Sequence, residues 1–225
     1  IETYGEDPYL TSVMGVNVVK GLQCTDANQK YDKIHACAKH FAVHSGPEWN
    51  RHEFNAENIK PRDLHETYLV PFEALVKEGK VKEVMCAYNR LEGDPCCGSD
   101  RLLMQILRQE WGYEGIVLSD CGAIDDFYRE KGHKTHPDAE SASAAAVLSG
   151  TDLECGSSYK ALVESAKKGL ISEKDIDVSV KRLLKARFEL GEMDDPSKVE
   201  WTKIPYSVVC SAEHDSLSLD IARKS

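Results

Sequence analysis

The chain has 225 residues, 41% of them hydrophobic, a size and balance that can bury one sizeable core. A formal net charge of −10 would be repelled by a phosphate backbone, which argues against nucleic acid as a partner. No apolar run approaches the ~20 residues of a membrane-spanning helix, which argues against a membrane partner as well.

Residues 10–22 carry helical periodicity, and "IHACAKHF" (34–41) reads as a strand ending in polar side chains. A loop rich in His, Asn and Glu fills 42–60. A helix is predicted over 61–77, with Pro61 in the first turn, where a missing N–H costs nothing, and Gly79 beyond its end. The strand "EVMCAYN" (83–89) follows, then the turn "EGDPCCG" and a helix capped at Ser99 or Asp100 and running to Trp111. "GIVLSD" (115–120) has the β-branched, unalternating character of a strand buried on both faces. After an acidic loop come an Ala-rich helix (139–149), a short strand "TDLEC" (151–155) and helices at 158–169 and 173–190. Residues 191–205 contain Pro and many charges and read as a linker. Strands and helices in this alternation predict the α/β class, with a parallel sheet and right-handed crossovers.

Polar residues gather at the C-terminal ends of these strands: Lys39 and His40, Tyr88 and Asn89, Asp120, then Asp152 and Glu154. Each alone is an ordinary cap or turn residue. Together they would surround one mouth, which is where parallel α/β folds place their chemistry. His40, His44, His52, Glu48 and Glu53 also crowd together, but the HxxxH spacing runs from a strand end into a loop with Gly46 and Pro47, so no metal site is assigned. The eight cysteines (24, 37, 86, 96, 97, 121, 155 and 210) form no CxxC pair, and most are expected as small buried hydrophobes.

In order, "ETYGEDPYLT", "ACAKHFAVHSGPEWNRHEFNA", "VMCAYN", "GIVLSDCGAI" and "SGTDLECG" resemble the motifs of the N-terminal barrel of glycoside hydrolase family 3, which includes β-glucosidases and β-xylosidases. "LDIARKS" resembles the stretch that leads out of that barrel. The resemblance implies an α/β fold that is part of a (β/α)8 TIM-type barrel over 1–190, with 191–225 a linker toward a second, α/β sandwich domain. It implies a piece of a retaining exo-glycosidase acting on terminal β-linked sugars of a glycoside or oligosaccharide, without a cofactor, in the periplasm or secreted. Asp120 matches the nucleophile, and Lys39 and His40 match a pair that binds sugar hydroxyls. Arg51 matches an arginine of the same subsite, Tyr88 a tyrosine beside the nucleophile, and Met85 a residue lining the site; Cys121 and Glu154 complete the expected substrate-binding set. The acid/base carboxyl group belongs to the later domain, so none is assigned here. The isolated piece is expected to be inactive on poor leaving groups, and its unpaired strand edges to favour self-association.

The residue after Asp120 bears on the substrate. Xylosidase members of the family resemble this chain in placing a cysteine there, where glucosidase members usually place tryptophan. Cys121 and Cys155 end neighbouring predicted strands, within the reach of a disulfide. A bridge would form one wall of the pocket and leave little room for the hydroxymethyl group of glucose. Two free buried thiols remain the alternative at this point.

Overall fold

The computed structural model describes residues 3–23 and 29–224; Cys24 and the outermost residues of the first and last motifs lie outside them. Helix α1 spans Pro8–Gln23, its first turn capped by the Asp7 carboxylate, which accepts the Leu10 amide at 2.8 Å. Gly15 allows α1 to lie close against helix α3 (Val70–Lys77), since a Cβ there would stand 3.0 Å from Leu75 Cδ2. Gln23 ends α1 fully buried. Its side-chain oxygen accepts the Ala36 and Lys82 amides, and its nitrogen donates to the Lys80 carbonyl, so one residue pins the starts of two strands.

Those strands, β1 (Cys37–Phe41) and β3 (Glu83–Cys86), lie parallel with β6 (Ile116–Ser119) in the order β1-β3-β6. The expected strand at 151–155 contributes only a parallel bridge between Leu153 and Leu118, although Ser119 N–H reaches the Leu153 carbonyl at 2.9 Å and so extends the sheet. The predicted 83–89 strand also stops early. After Cys86 the chain leaves the sheet for a hairpin of β4 (Arg90–Leu91) and β5 (Asp94–Pro95), turning at Glu92 and Gly93, both at positive φ as a type I′ turn requires. Strand β2 (Asn55–Ala56) pairs parallel with β4.

The helix expected over 61–77 is interrupted. It begins as α2 (Pro61–Asp63), widens into a π-type turn over Leu64–Tyr68 and resumes as α3. Pro71 has no amide to return to the Thr67 carbonyl, so the regular ladder fails there. A wide helix over Asp100–Glu110 is capped by Ser99, whose hydroxyl accepts the Leu102 amide. Helices α4 (Ala139–Leu148), α5 (Leu162–Lys167), α6 (Glu173–Glu189) and α7 (Ala212–Lys224) complete the order.

Side chains alternate across a strand. Ala38, Val84, Cys86 and Val117 are buried beneath the helical layer, whereas Lys39, Met85, Leu118 and Leu153 occupy the other, less covered face. Phe41, fully buried, packs edge-on against Phe72 at 5.0 Å and Trp111 at 5.9 Å, joining sheet to helices. Asp152, one of the strand-end carboxylates, serves this framework: Arg108 and Arg182 bond its two oxygens at 2.8 and 2.7 Å. Beyond α6 the chain turns back, with Val199 buried and Trp201 donating to the Tyr31 carbonyl at 3.2 Å.

Two disulfides are present: the Cys121–Cys155 bridge that the sequence reading put forward, and a Cys86–Cys97 bridge that it did not foresee. Cys86 and Cys97 are joined in the core, and Cys121 and Cys155 are joined at the sheet's C-terminal edge with their α-carbons 4.4 Å apart. Among the described residues Cys37, Cys96 and Cys210 are free.

His133 should make the fold acid-sensitive. It is 5% exposed, stacks on Phe127, and neither ring nitrogen has a hydrogen-bond partner among the described residues. Burial first, then the positive charge of Arg90, pushes its pKa down to about 4 from 6.5. Between these values the unfolded chain takes up a proton that the folded one refuses. Stability should therefore be complete above pH 6.5 and fall by about 3 kcal/mol as pH drops to 4. Melting temperatures across that window should show the loss, and H133F should flatten it; an equally steep slope in H133F would refute the assignment.

Candidate active site

The C-terminal edge of the β1-β3-β6 sheet opens into a cleft of about 630 Å³. Lys39, His40, Arg51, Tyr88 and Asp120 all line it, so five of the eight residues expected from the sequence meet in one place. Lys39 and His40 come from β1, where the Lys39–His40 and Phe41–Ala42 peptide bonds are cis. Asp120 follows directly on β6, and Tyr88 lies two residues beyond β3. Arg51 comes from the polar loop, just after a short 3-10 turn at Glu48–Asn50.

Asp120 is contacted at both carboxylate oxygens. Its Oδ1 accepts the Cys121 amide at 2.8 Å, and its Oδ2 lies 3.3 Å from His40 Nε2. The Tyr88 hydroxyl, next to it, donates to the Cys121 carbonyl at 2.8 Å. Burial, followed by the charge of Asp120, raises the Tyr88 pKa to about 12, so the phenol keeps its proton and remains a donor. A half-buried carboxylate with fixed donors around one oxygen pair can act as a nucleophile toward a carbon presented from the cleft.

Cys121 is exposed, follows Asp120 directly in the chain and is bridged to Cys155, which settles the two readings the sequence left open. Cys121, Met85 and Glu154 are not among the cleft-lining residues. Met85 sits lower on the sheet, paired with Leu118 on β6. The Glu154 carboxylate accepts the Ser158 and Tyr159 amides at 2.7 and 2.6 Å and so caps the following turn, which is why its place near a strand end misleads.

The sequence reading did not assign several residues in and around this cleft to the site. His44 lines the cleft and pairs with Asn89 at 3.1 Å, and Tyr68 and Phe72 supply an apolar side. His52 lies 2.7 Å from Asp126, a contact between two loops 74 residues apart that no local spacing announces. Four of the five crowded His and Glu residues turn to separate partners: His40 to Asp120, His44 to Asn89, His52 to Asp126 and Glu48 to Arg51. Among the described residues, Asp32, His35 and Glu189 alone come close enough to share an ion, and Lys82 stands between the two carboxylates at 2.9 and 3.1 Å, supplying the positive charge itself.

Comparison with known proteins agrees with this layout. The model of the glycosyl hydrolase family 3 N-terminal domain matches residues 1–186. A xylan 1,4-beta-xylosidase of Xylanibacter ruminicola is 59% identical over 99% of this chain, and beta-D-xylosidase 1 of Arabidopsis thaliana is 36% identical over the same share. The chain spans 26% and 29% of the length of those two relatives. Among solved structures, a family 3 exo-beta-xylosidase in complex with a xylobiose aziridine activity-based probe superimposes with a TM-score of 0.85 at 32% identity, over 99% of this chain and 28% of that one. A beta-glucosidase involved in saponin metabolism from intestinal bacteria gives the same TM-score at 34% identity, over 99% of this chain and 29% of that one. Motif order, sheet topology, family model and relatives all agree: this chain belongs to glycosyl hydrolase family 3 and carries the family's N-terminal domain.

Proposed function

We propose that the protein carrying this chain is a retaining exo-β-glycosidase that removes terminal β-xylosyl residues, with Asp120 as nucleophile. The observation that carries the proposal is the setting of Asp120, oriented by the Cys121 amide and His40 and flanked by a disulfide rim. In the first step an Asp120 oxygen forms a bond to the anomeric carbon as the bond to the leaving group breaks, and an acid outside this chain protonates the departing oxygen. Water then attacks the same carbon, gives its proton to the conjugate base of that acid, and releases Asp120. Two inversions give net retention.

Lys39 and Arg51 present cations at the cleft for sugar hydroxyls. The segment 191–225 is taken as the path toward a second domain that supplies the acid/base carboxyl group. Two disulfides suit an oxidising compartment, which supports a periplasmic or secreted location.

The substrate preference follows from the rim. In this reading the Cys121–Cys155 bridge, which begins at the residue after Asp120, serves as a wall that cannot swing aside for a hydroxymethyl group at C5. With the complete protein, kcat/KM for 4-nitrophenyl β-xyloside should exceed that for the β-glucoside by at least about 10-fold. An equal or higher glucoside value would favour the second reading, a β-glucosidase, to which the similarity to the saponin-metabolising beta-glucosidase lends support.

A further inference from the structure

We propose that His52, anchored by Asp126, is a positioning residue that holds Arg51 and Tyr88 in place to receive the sugar. The inference rests on the reading of this cleft as the glycosidase site and adds a part to it.

The donor directions define the unit. The Arg51 Nε–H lies 3.2 Å from His52 Nε2, and a guanidinium can only donate. Nε2 must therefore accept, which places the ring proton on Nδ1, where it donates to Asp126 Oδ2 at 2.7 Å. Asp126 is 3% exposed and belongs to the turn Asp125–Phe127, shortly after β6 and Asp120. Burial raises its pKa, and the His52 hydrogen bond counters that rise. The arrangement has the form of a buried carboxylate fixing the tautomer and the angle of a histidine, as it does for metal-bound histidines, here applied to an arginine.

His52 then shapes the cleft twice. Its ring meets Tyr88 edge-on at 4.5 Å, and the Arg51 guanidinium, whose Nε it holds, lies 4.9 Å from the centre of the Tyr88 ring. Glu48 takes Arg51 Nη1 at 2.7 Å. With Nε and Nη1 both engaged, Nη2 has no hydrogen bond among the described residues and is left for a ligand hydroxyl. Tyr88 in turn donates to the carbonyl next to Asp120. A contact made in a loop far from the nucleophile in sequence thus sets two side chains that face the sugar.

The test is a double-mutant cycle in the complete protein with an aryl β-xyloside. H52A and H52F should each lower kcat/KM by about 10- to 100-fold, the range for loss of an orienting outer partner. H52F keeps a ring against Tyr88 and replaces H52A should that variant fail to fold. R51A should lose at least as much, and R51A/H52F, in which the ring against Tyr88 is kept, should be no worse than R51A within about threefold, because what H52F removes acts through Arg51. A His52 variant within twofold of the parent, or losses that multiply, would overturn the proposal. Intact-mass labelling with a 2-fluoro xyloside is run alongside. An adduct away from Asp120 in the parent protein would overturn the nucleophile assignment, whereas the cycle decides His52 by itself.

Discussion

Replacing Asp120 with alanine is expected to lower kcat of the complete protein on aryl β-xylosides by about 10⁴-fold or more, the scale seen when a hydrolase loses its nucleophile. The effect should be this large because none of the cleft's other side chains can take over. His40 and Lys39 are cations or neutral donors, Tyr88 keeps its proton far above neutral pH, and the Glu48 carboxylate is already paired with Arg51. Folding should survive, since the Asp120 side chain lies at the C-terminal edge of the sheet, outside the apolar core, with contacts to the Cys121 amide and His40. The truncation leaves a space below the anomeric carbon, so added azide should restore turnover and give the α-glycosyl azide, formed by one inversion. Product of β configuration, or activity within tenfold of the parent, would show that the attacking group lies elsewhere.

Removing the Cys121–Cys155 bridge is expected to have the second largest effect, on stability. The bridge closes a loop of sequence separation 34, for which the chain-entropy model gives about 3–4 kcal/mol. In a chain of this size that corresponds to a fall of about 10 °C in the melting temperature for C121S/C155S. Reductant should produce the same shift in the parent chain before it touches Cys86–Cys97, because Cys121 is exposed while both sulfurs of the other bridge are buried. A melting point unchanged within about 2 °C would mean that the unfolded chain gains nothing when the loop opens. The same variant should also lose part of its preference for xylosides, since the rim is then free to move.

Much of this was legible in the sequence because its signals are local. Unbroken apolar runs at 84–87 and 116–118 mark the buried strands, and the strand ends give Lys39, His40, Tyr88 and Asp120. The Ser99 cap appears as expected, and the helices expected from 139 and 173 do start there, behind caps at Asp138 and Ser172. What escaped depends on the third dimension. Glu154 has the right position along its strand, yet two backbone amides of the next turn claim its carboxylate. Asp152 is likewise a strand-end carboxylate, drawn into the framework by arginines from two helices. The Cys86–Cys97 bridge depends on a hairpin that returns Cys97 beneath β3, and the His52–Asp126 pair depends on two loops crossing over the same mouth. Distant pairings of this kind leave no periodicity to detect.

The buried bridge between Cys86 and Cys97 has a consequence for how the cleft meets a ligand. Tyr88 lies inside the covalent ring it closes, and Asp120 adjoins the other ring, so both walls are stitched before any sugar arrives. Such a site has little freedom left to surrender on association, and its donors need little rearrangement as charge develops on the sugar. Saturation with a xylose-like inhibitor should consequently leave amide exchange around 86–97 and 119–122 almost as slow as it is in the empty protein, with any added protection falling on the loop that carries Arg51 and His52.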